Sequence, residues 1–246
     1  SPPLDPFHPA SYRGIVLADA IPMLFQKFLF HRPSTFSELQ NLPTSQQSCA
    51  RPHRQPLDTV YTLLSYIHHQ HDTHNTPTYV FFGDLQTAFP STGTFKEQLL
   101  LRLADYGITG QLWQQIRALH LHHKIRVLHG HIPPSSYVHV LKGLPEGGRL
   151  SPLEWCLYIA DLVHDLQRHF PHISLPPPQH LILMAIILFM DDLCLIANSP
   201  LELLRLIQHT QNWCERNRCL LSFPKSKVMA FFEPPALRLA RSDLAW

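Results

Sequence analysis

Short continuous apolar runs alternate along the chain with longer stretches whose apolar residues recur at helical spacing. The runs over 79–82, 181–189 and 193–197 are typical of buried strands. Only Met190, Asp191 and Asp192 separate the last two runs. The pattern therefore predicts a strand hairpin whose tight turn carries two adjacent carboxylates.

Helical spacing predicts an amphipathic helix early in the chain and another after residue 94. The apolar positions of the first are Leu57, Val60, Tyr61, Leu64 and Ile67. In the second, Thr94 and Glu97 form a capping-box pattern, and Gly107 can end the helix. Its predicted apolar face consists of Leu99, Leu100 and Leu103.

The tetrapeptide Ser-Pro-Leu-Glu occurs twice, beginning at Ser151 and at Ser199. Each copy predicts a helix with serine as the N-cap and proline at the first helical position. The predicted buried face of the first helix consists of Leu153, Cys156, Leu157, Ala160, Val163 and Leu166. That of the second consists of Leu203, Leu204, Ile207, Gln211 and Cys214.

Segments 124–130 and 137–141 predict two short strands about a Pro-Pro-Ser-Ser turn. In chain order the elements are strand, helix, helix, strand pair, helix, hairpin and helix. This order predicts an α+β fold, a sheet with helices packed on one face. A chain of 246 residues is long enough to bury such a core.

Asp84 follows a second buried-strand sequence, 79–83, and the apolar pattern there breaks at Pro90. If the fold sets this strand beside the hairpin, three carboxylates meet at one place. Oxygen ligands of this kind suit Mg²⁺ or Mn²⁺ and not zinc. A pair of such ions can stabilise both the attacking and the leaving oxygen of a phosphoryl displacement. A surface turn that happens to hold two acids is the alternative for Asp191 and Asp192.

Six ordered motifs resemble those of a reverse transcriptase, and more narrowly those of non-LTR (LINE-like) retrotransposons. They are 12–15 (YRGI), 51–58 (RPHRQPLD), Asp84 with Ala88-Phe89, 143–152 (GLPEGGRLSP), 189–192 (FMDD), and 212–214 with 220–227. Ala-Phe-Pro-Ser at 88–91 is similar to copies found in fungi.

The resemblance implies a right-hand polymerase core of palm and fingers. Fingers would span about 1–75 and 105–140, and the palm about 76–104 and 141–246. The thumb is expected to be absent, and the chain is expected to be a truncated core without the nuclease domain that many relatives carry.

The resemblance also implies an RNA-directed DNA polymerase that uses an RNA template, a DNA primer, deoxynucleoside triphosphates and two Mg²⁺ or Mn²⁺ ions. Asp84 and Asp191 would bridge the ions, with Asp192 as a weaker ligand and the Leu85 carbonyl completing one ion's shell. Lys225, or less favourably Lys227, would protonate the departing pyrophosphate.

Further residues are implied to bind the incoming nucleotide. Phe89 would stack under its sugar and exclude a 2′-hydroxyl, and Arg51 and Arg54 would hold the triphosphate. Glu146 and Gly147 would lie beside the nucleotide. Four of the implied site residues also have an ordinary explanation. Phe89 would be a core residue, Arg51 and Arg54 would belong to a solvated loop, and Lys225 would be a surface charge.

Three positions depart from the family pattern. Glu146 replaces a glutamine, His53 replaces a glycine, and Pro90 replaces an aspartate. A carboxylate at 146 would repel a triphosphate. A catalytically degenerate retrotransposon relic that at most binds nucleic acid is therefore the alternative to an active polymerase, and a metal-dependent nuclease is a third hypothesis.

Composition sets weaker limits. A net charge of +2 with 15% charged residues is only mildly basic, so any positive groove must be local. Five cysteines without a C-x-x-C pair argue against a zinc site or a disulfide scaffold, and they favour an intracellular location, with the nucleus among the compartments left open. The run 181–189 is too short for a membrane span. The histidine-rich segment 68–74 is expected to be a solvated helix end, although it could bind metal in vitro.

Overall fold

A computed structural model describes residues 16–42, 44–86, 96–128, 132–171 and 185–234 of the chain. Its α helices are α1 (Ala20–Leu39), α2 (Pro56–His74), α3 (Lys96–Asp105), α4 (Gly110–Leu121), α5 (Ser151–His169) and α6 (Pro200–Arg216). A 3₁₀ turn covers Phe223–Lys225. Among the described residues, no helix is both long enough and apolar enough to cross a membrane.

The strands are β1 (Thr78–Gln86), β2 (Lys124–Ile125), β3 (Val138–His139), β4 (Ile186–Phe189), β5 (Asp192–Ala197), β6 (Leu220–Leu221) and β7 (Lys227–Phe231). Strand β1 is the centre of an antiparallel sheet. One of its edges pairs with β5, which in turn pairs with β4, and its other edge pairs with β6 and β7. Strands β2 and β3 form a separate two-stranded hairpin, shorter than the sequence predicts.

The core lies where α5 and α6 cover the sheet. Helix α5 is buried on nearly all sides, and Trp155, Tyr158 and Ile159 have no measurable exposure. Helix α6 packs against β5, β1 and α5, while α2 packs against β4 and β1. The predicted α+β fold class is thereby confirmed, and the central position of β1 fixes where its C-terminal end delivers Asp84.

The two Ser-Pro-Leu-Glu copies behave differently. Ser199 is the N-cap of α6 as predicted, and its Oγ accepts a hydrogen bond from the Glu202 N–H (3.2 Å). For α5 the prediction is wrong, because the N-cap position is Leu150. Ser151 Oγ instead donates to the Pro145 carbonyl oxygen (2.6 Å), which ties the helix to the loop before it.

Two predicted apolar faces differ from those observed. Helix α2 forms where expected, but Leu57 and Tyr61 are 71% and 73% exposed. The buried residues of α2 are Tyr66, Ile67 and Gln70, all in its C-terminal half. In α6 the buried residues are Leu203, Leu206, Thr210, Trp213 and Cys214, so the buried face is rotated away from the predicted Leu204. Spacing predicts a helix without fixing which side meets the sheet.

Candidate functional site

Strands β1 and β5 bring the predicted carboxylates to one place. Asp84 lies directly opposite Asp192 in the antiparallel register. Directly opposed side chains on one face have Cβ atoms about 4.5 to 5.5 Å apart. The next residue along, Leu85, donates its N–H to the Asp191 carbonyl oxygen (3.2 Å). The β4–β5 turn is therefore held against the end of β1 by backbone contacts.

The turn itself adopts the predicted hairpin geometry, with a strained residue at its tip. Met190 has a φ of 59°, a left-handed conformation that is uncommon for a non-glycine residue. Strain of this kind persists only where surrounding contacts over-determine the backbone. The neighbours of Met190 supply such contacts.

Gln47 and Trp155 hold the Met190 backbone from two other parts of the chain. The Trp155 indole N–H donates to the Met190 carbonyl oxygen (2.8 Å). Gln47 Oε1 accepts from the Met190 N–H (3.2 Å), and Leu188 exchanges backbone hydrogen bonds with Gln46 and Ser48. We infer that these residues position the carboxylate turn.

Sequence reasoning missed both positioning residues. A buried indole requires a hydrogen-bond acceptor, so Trp155 on an apolar helix carried a general signal that some partner existed. No local pattern marks Gln47, because its partner lies 143 residues away.

Asp84 Oδ2 has an unusual environment. It is buried and has no hydrogen-bond partner among the described residues. Lys225 Nζ lies 3.2 Å from it, but that lysine is 71% exposed and sits on the 3₁₀ turn. In the metal-free chain the Lys225 ammonium neutralises this oxygen, and a divalent ion bound there would compete with it. The donor set of carboxylate oxygens fits a hard divalent cation.

The neighbouring carboxylates disfavour the ionisation of Asp192. Partial burial, together with the charges of Asp191 and Asp84, raises the pKa of the Asp192 carboxyl above its usual range. Like charges held this close disfavour ionisation, and a bound cation would reverse that effect. A cation bound beside Asp192 would therefore favour the charged form of its carboxyl.

Gly83 is required by close packing beside Asp84. A Cβ at this position would lie 2.6 Å from the Phe81 ring and 3.1 Å from a Leu193 methyl group. Because glycine lacks a Cβ, the Phe81 and Leu193 side chains can pack closely against β1 immediately before the carboxylates.

Arg51 is engaged elsewhere in the protein. Its guanidinium makes a two-pronged ion pair with Glu38 (2.9 and 2.8 Å) and donates to the Thr44 carbonyl oxygen (3.0 Å). Its side chain is only 8% exposed. These contacts argue against the predicted triphosphate contact of Arg51 and indicate that it ties α1 to the following loop.

Arg54 remains a candidate for phosphate binding, since it is exposed in the turn after Arg51. In the same turn, His53 has a φ of 58°. The left-handed conformation favours glycine, the residue that the family pattern has there. The substitution at 53 therefore introduces strain in the turn without blocking it.

Glu146 and Gly147 form a separate exposed turn. Gly147 has a φ of 76°, and the Gly148 N–H closes the turn on the Pro145 carbonyl oxygen (3.0 Å). The neighbouring Arg149 N–H donates to Gln26 Oε1 of α1 (2.7 Å). Among the described residues, no hydrogen bond or ion pair joins this turn to the carboxylates. Phe89 lies outside the described residues, so its predicted role stays a prediction.

Residues 6–239 match the family model described as "Reverse transcriptase (RNA-dependent DNA polymerase)". No curated protein matches the chain significantly by sequence.

Solved telomerase structures share the fold. The chain is similar to apo telomerase from Candida tropicalis truncated from its C-terminal domain (TM-score 0.62, 8% identity, 87% of this chain and 41% of that one). It is also similar to telomerase from Candida albicans in complex with the TWJ fragment of telomeric RNA (TM-score 0.57, 10% identity, 85% of this chain and 35% of that one). The chain thus spans about two-fifths or less of the length of these structures.

Proposed function

The chain belongs to the reverse transcriptase (RNA-dependent DNA polymerase) family, and from that premise we propose that it catalyses template-directed transfer of deoxynucleotides to a DNA primer on an RNA template. The observation that carries the proposal is the placement of Asp84 opposite Asp192, with Asp191 joined to Leu85. Asp84, which is remote in sequence, thus lies beside the adjacent pair Asp191 and Asp192 at the end of β1, and this supports the two-ion chemistry.

Asp84, Asp191 and Asp192 would hold two Mg²⁺ or Mn²⁺ ions, with the Leu85 carbonyl as a further oxygen ligand. Such ions, when bound, supply a primer hydroxyl with a lowered pKa and neutralise the charge of the triphosphate. The Asp84 carboxylate supports this assignment, because its Oδ2 pairs only with the exposed Lys225 among the described residues. Because the antiparallel register of β1 and β5 sets Asp192 directly opposite Asp84, we assign Asp192 a larger share in metal binding than the sequence alone suggests.

The chain's own side chains would orient the substrates and move one proton. Lys225 stands 3.2 Å from Asp84 Oδ2 on an exposed turn, so its ammonium is within reach of a nucleotide held at the carboxylates. There it would donate a proton to the departing pyrophosphate. Arg54 is the remaining arginine candidate for the triphosphate, and Phe89 would exclude ribonucleotides.

A non-LTR retrotransposon, fungal in origin, is our proposed source for the segment, on the strength of the six ordered motifs. The unpaired state of all five cysteines supports an intracellular location, the nucleus included.

A second candidate function is a degenerate relic that binds nucleic acid without catalysis. Two observations favour it: Glu146 adds a carboxylate where the family has an amide, and Arg51 is held by Glu38. Both remove favourable contacts to a triphosphate.

Primer extension by the purified chain on an RNA–DNA hybrid, with Mg²⁺ or Mn²⁺, separates these hypotheses. We expect extension that favours deoxynucleotides and falls at least about hundredfold in Asp191→Asn, since even outer-shell partners of a bound metal cost 10–100-fold. Asp105→Asn, which removes an exposed carboxylate from α3, is the matched control and should retain activity. Hybrid binding without extension would support the relic, and primer degradation would support the nuclease.

A further inference from the structure

We propose that Asp165, His169 and His209 form a zinc site that joins α5 to α6, separate from the carboxylate cluster. One ligand atom from each of the three residues can be chosen so that all lie within 4.8 Å of one another. His209 Nε2 is 2.8 Å from Asp165 Oδ2, and the rings of His169 and His209 have centroids 4.5 Å apart. Neither the family resemblance nor the proposed polymerase chemistry uses these residues.

The spacing of the ligands suits a metal held between two helices. Asp165 and His169 are four residues apart on α5, so they lie on the same face, and His209 approaches from α6. Two imidazoles and one carboxylate match the ligand types that Zn²⁺ accepts, with water able to take a fourth, tetrahedral position. Mg²⁺ prefers a shell of oxygens, so the same ion is not expected at both sites.

The ligand side chains are held in place by their surroundings. The His169 ring is fixed by a 2.8 Å contact between its Nδ1 and the Asp165 carbonyl oxygen, and Phe170 packs edge-on against His209. Metal-binding histidines commonly use one ring nitrogen for such a backbone contact and the other for the metal. One turn earlier, the Trp213 indole N–H donates to Asp161 Oδ2 (2.9 Å), which locks α6 against α5.

Arg216 is the competitor at this site. Its guanidinium lies 3.3 Å from Asp165 Oδ2 and its Nε donates to the Asn212 carbonyl oxygen (3.3 Å), while the side chain is 64% exposed. Zinc and Arg216 would exclude each other from that oxygen through charge repulsion. Removal of the arginine charge should therefore tighten zinc binding, whereas removal of either histidine should weaken it.

The two metal sites are separable in space. Trp155, which contacts the carboxylate turn, precedes Asp165 by ten residues on α5. At a rise of 1.5 Å per residue the zinc site is displaced by about 15 Å along the helix. Zinc at this position would cross-link α5 and α6. It would stabilise the fold and take no part in nucleotide transfer.

The test is a Zn²⁺ titration of the EDTA-treated and dialysed chain, in excess Mg²⁺, followed by calorimetry and by thermal unfolding. We expect about one equivalent of Zn²⁺ to bind, with a rise in Tm of about 5 to 10 °C at a hundredfold excess over Kd. Co²⁺ in place of Zn²⁺ should give the visible absorption of a four-coordinate site.

Substitutions identify which residues bind the zinc ion. His209→Asn and His169→Asn should each lower the affinity at least about tenfold, since the loss of a ligand costs no less than the loss of an outer-shell contact. Arg216→Gln should raise the affinity, a gain that a misfolded protein could not give. The double variant His71→Asn with His74→Asn, at the histidine-rich end of α2, is the control and should bind zinc like the unaltered chain.

Two results would overturn the proposal. One is the absence of saturable Zn²⁺ binding to the unaltered chain. The other is binding that survives His169→Asn and His209→Asn but disappears in the α2 control, which would place the metal at the helix end.

Discussion

The Asp192 carboxyl ionises less readily in the folded chain than in the unfolded chain. Its pKa is raised by burial and by the charges of Asp191 and Asp84, so the folded state resists its ionisation. A raised carboxyl pKa lowers stability above that pKa, and the loss disappears as the pH falls far enough to protonate the group in both states.

Asp192→Asn should therefore stabilise the metal-free chain. We expect only a small rise in Tm, about 1 °C or less at pH 8, because Asp192 is exposed and solvent screens its interactions with the other carboxylates. The difference should shrink as the pH is lowered through the raised pKa. With excess Mg²⁺ the order should reverse, because only the unaltered chain gains a bound ion. A lower Tm for the variant in EDTA would contradict the electrostatic account.

Trp155 gives a prediction about positioning. Trp155→Phe removes the indole N–H that donates to Met190, which should cost about 1 to 3 kcal/mol in unfolding free energy and about tenfold in Mn²⁺ affinity. Trp113→Phe is the matched control, because its indole N–H donates over the same 2.8 Å to the Leu100 carbonyl oxygen. Urea unfolding and Mn²⁺ titration of both variants separate lost stability from lost positioning. Equal Mn²⁺ affinities would exclude the positioning role.

The aspartates could be found from sequence because each ends or interrupts an apolar run. Arg51 could not be assigned in the same way, since its partner Glu38 is chosen by how α1 folds back on the loop. Gln47 likewise meets Met190 only through tertiary structure. Local chemistry thus predicts which residues carry charge, but the partners of those charges depend on contacts between distant segments.

Strand β1 determines how precisely Asp84 is placed relative to Asp192. It is paired on both edges, so a change in its spacing from β5 displaces Asp84 relative to Asp192. Gly83 allows the close approach, because Phe81 and Leu193 fill the space where a side chain would lie.

Gly83→Ala tests that packing. The added methyl group would overlap the Phe81 ring, and overpacking of this kind typically costs about 1 to 3 kcal/mol. The combination with Phe81→Leu should recover part of the loss, giving a double-mutant cycle with a favourable interaction energy. Urea unfolding of the two single variants and the double variant measures it. Strictly additive losses would show that the ring does not constrain position 83.

The sequence predicts the positions of helices and strands more reliably than it predicts which side of each one is buried. The β4–β5 hairpin formed as predicted, but its turn consists of Met190 and Asp191 alone, because Asp192 already pairs with Phe189. Helix α2 formed as well, yet its buried residues are Tyr66 and Ile67 and not Leu57 or Tyr61. Contacts with the sheet, and not the helical spacing, determine which residues of α2 are buried.

Acid sensitivity of the whole chain should depend on His123, a half-buried basic residue in the segment that follows α4. His123 has a pKa lowered to about 4 by burial and by the nearby Lys96 and His120. Below the unfolded pKa of about 6.5 the unfolded chain binds this proton more readily than the folded chain. Stability is therefore lost as the pH falls from about 6.5 to 4.

His123→Gln should reduce the pH dependence in that window. His122→Gln, at the exposed neighbouring position, should leave it unchanged. Urea unfolding between pH 4.5 and 7 measures both slopes. Identical slopes for the His123 variant and the unaltered chain would show that His123 is not a source of the acid sensitivity.

The direct test of the carboxylate cluster is electron paramagnetic resonance of Mn²⁺ added to the purified chain, because bound and free Mn²⁺ differ in signal and no primer or template is needed. We predict saturable binding in the unaltered chain and in Asp105→Asn, with a loss of affinity of at least about hundredfold in Asp84→Asn. Equal Mn²⁺ binding by Asp84→Asn and the unaltered chain would contradict the account, since the β1 carboxylate would then play no part in holding the cation.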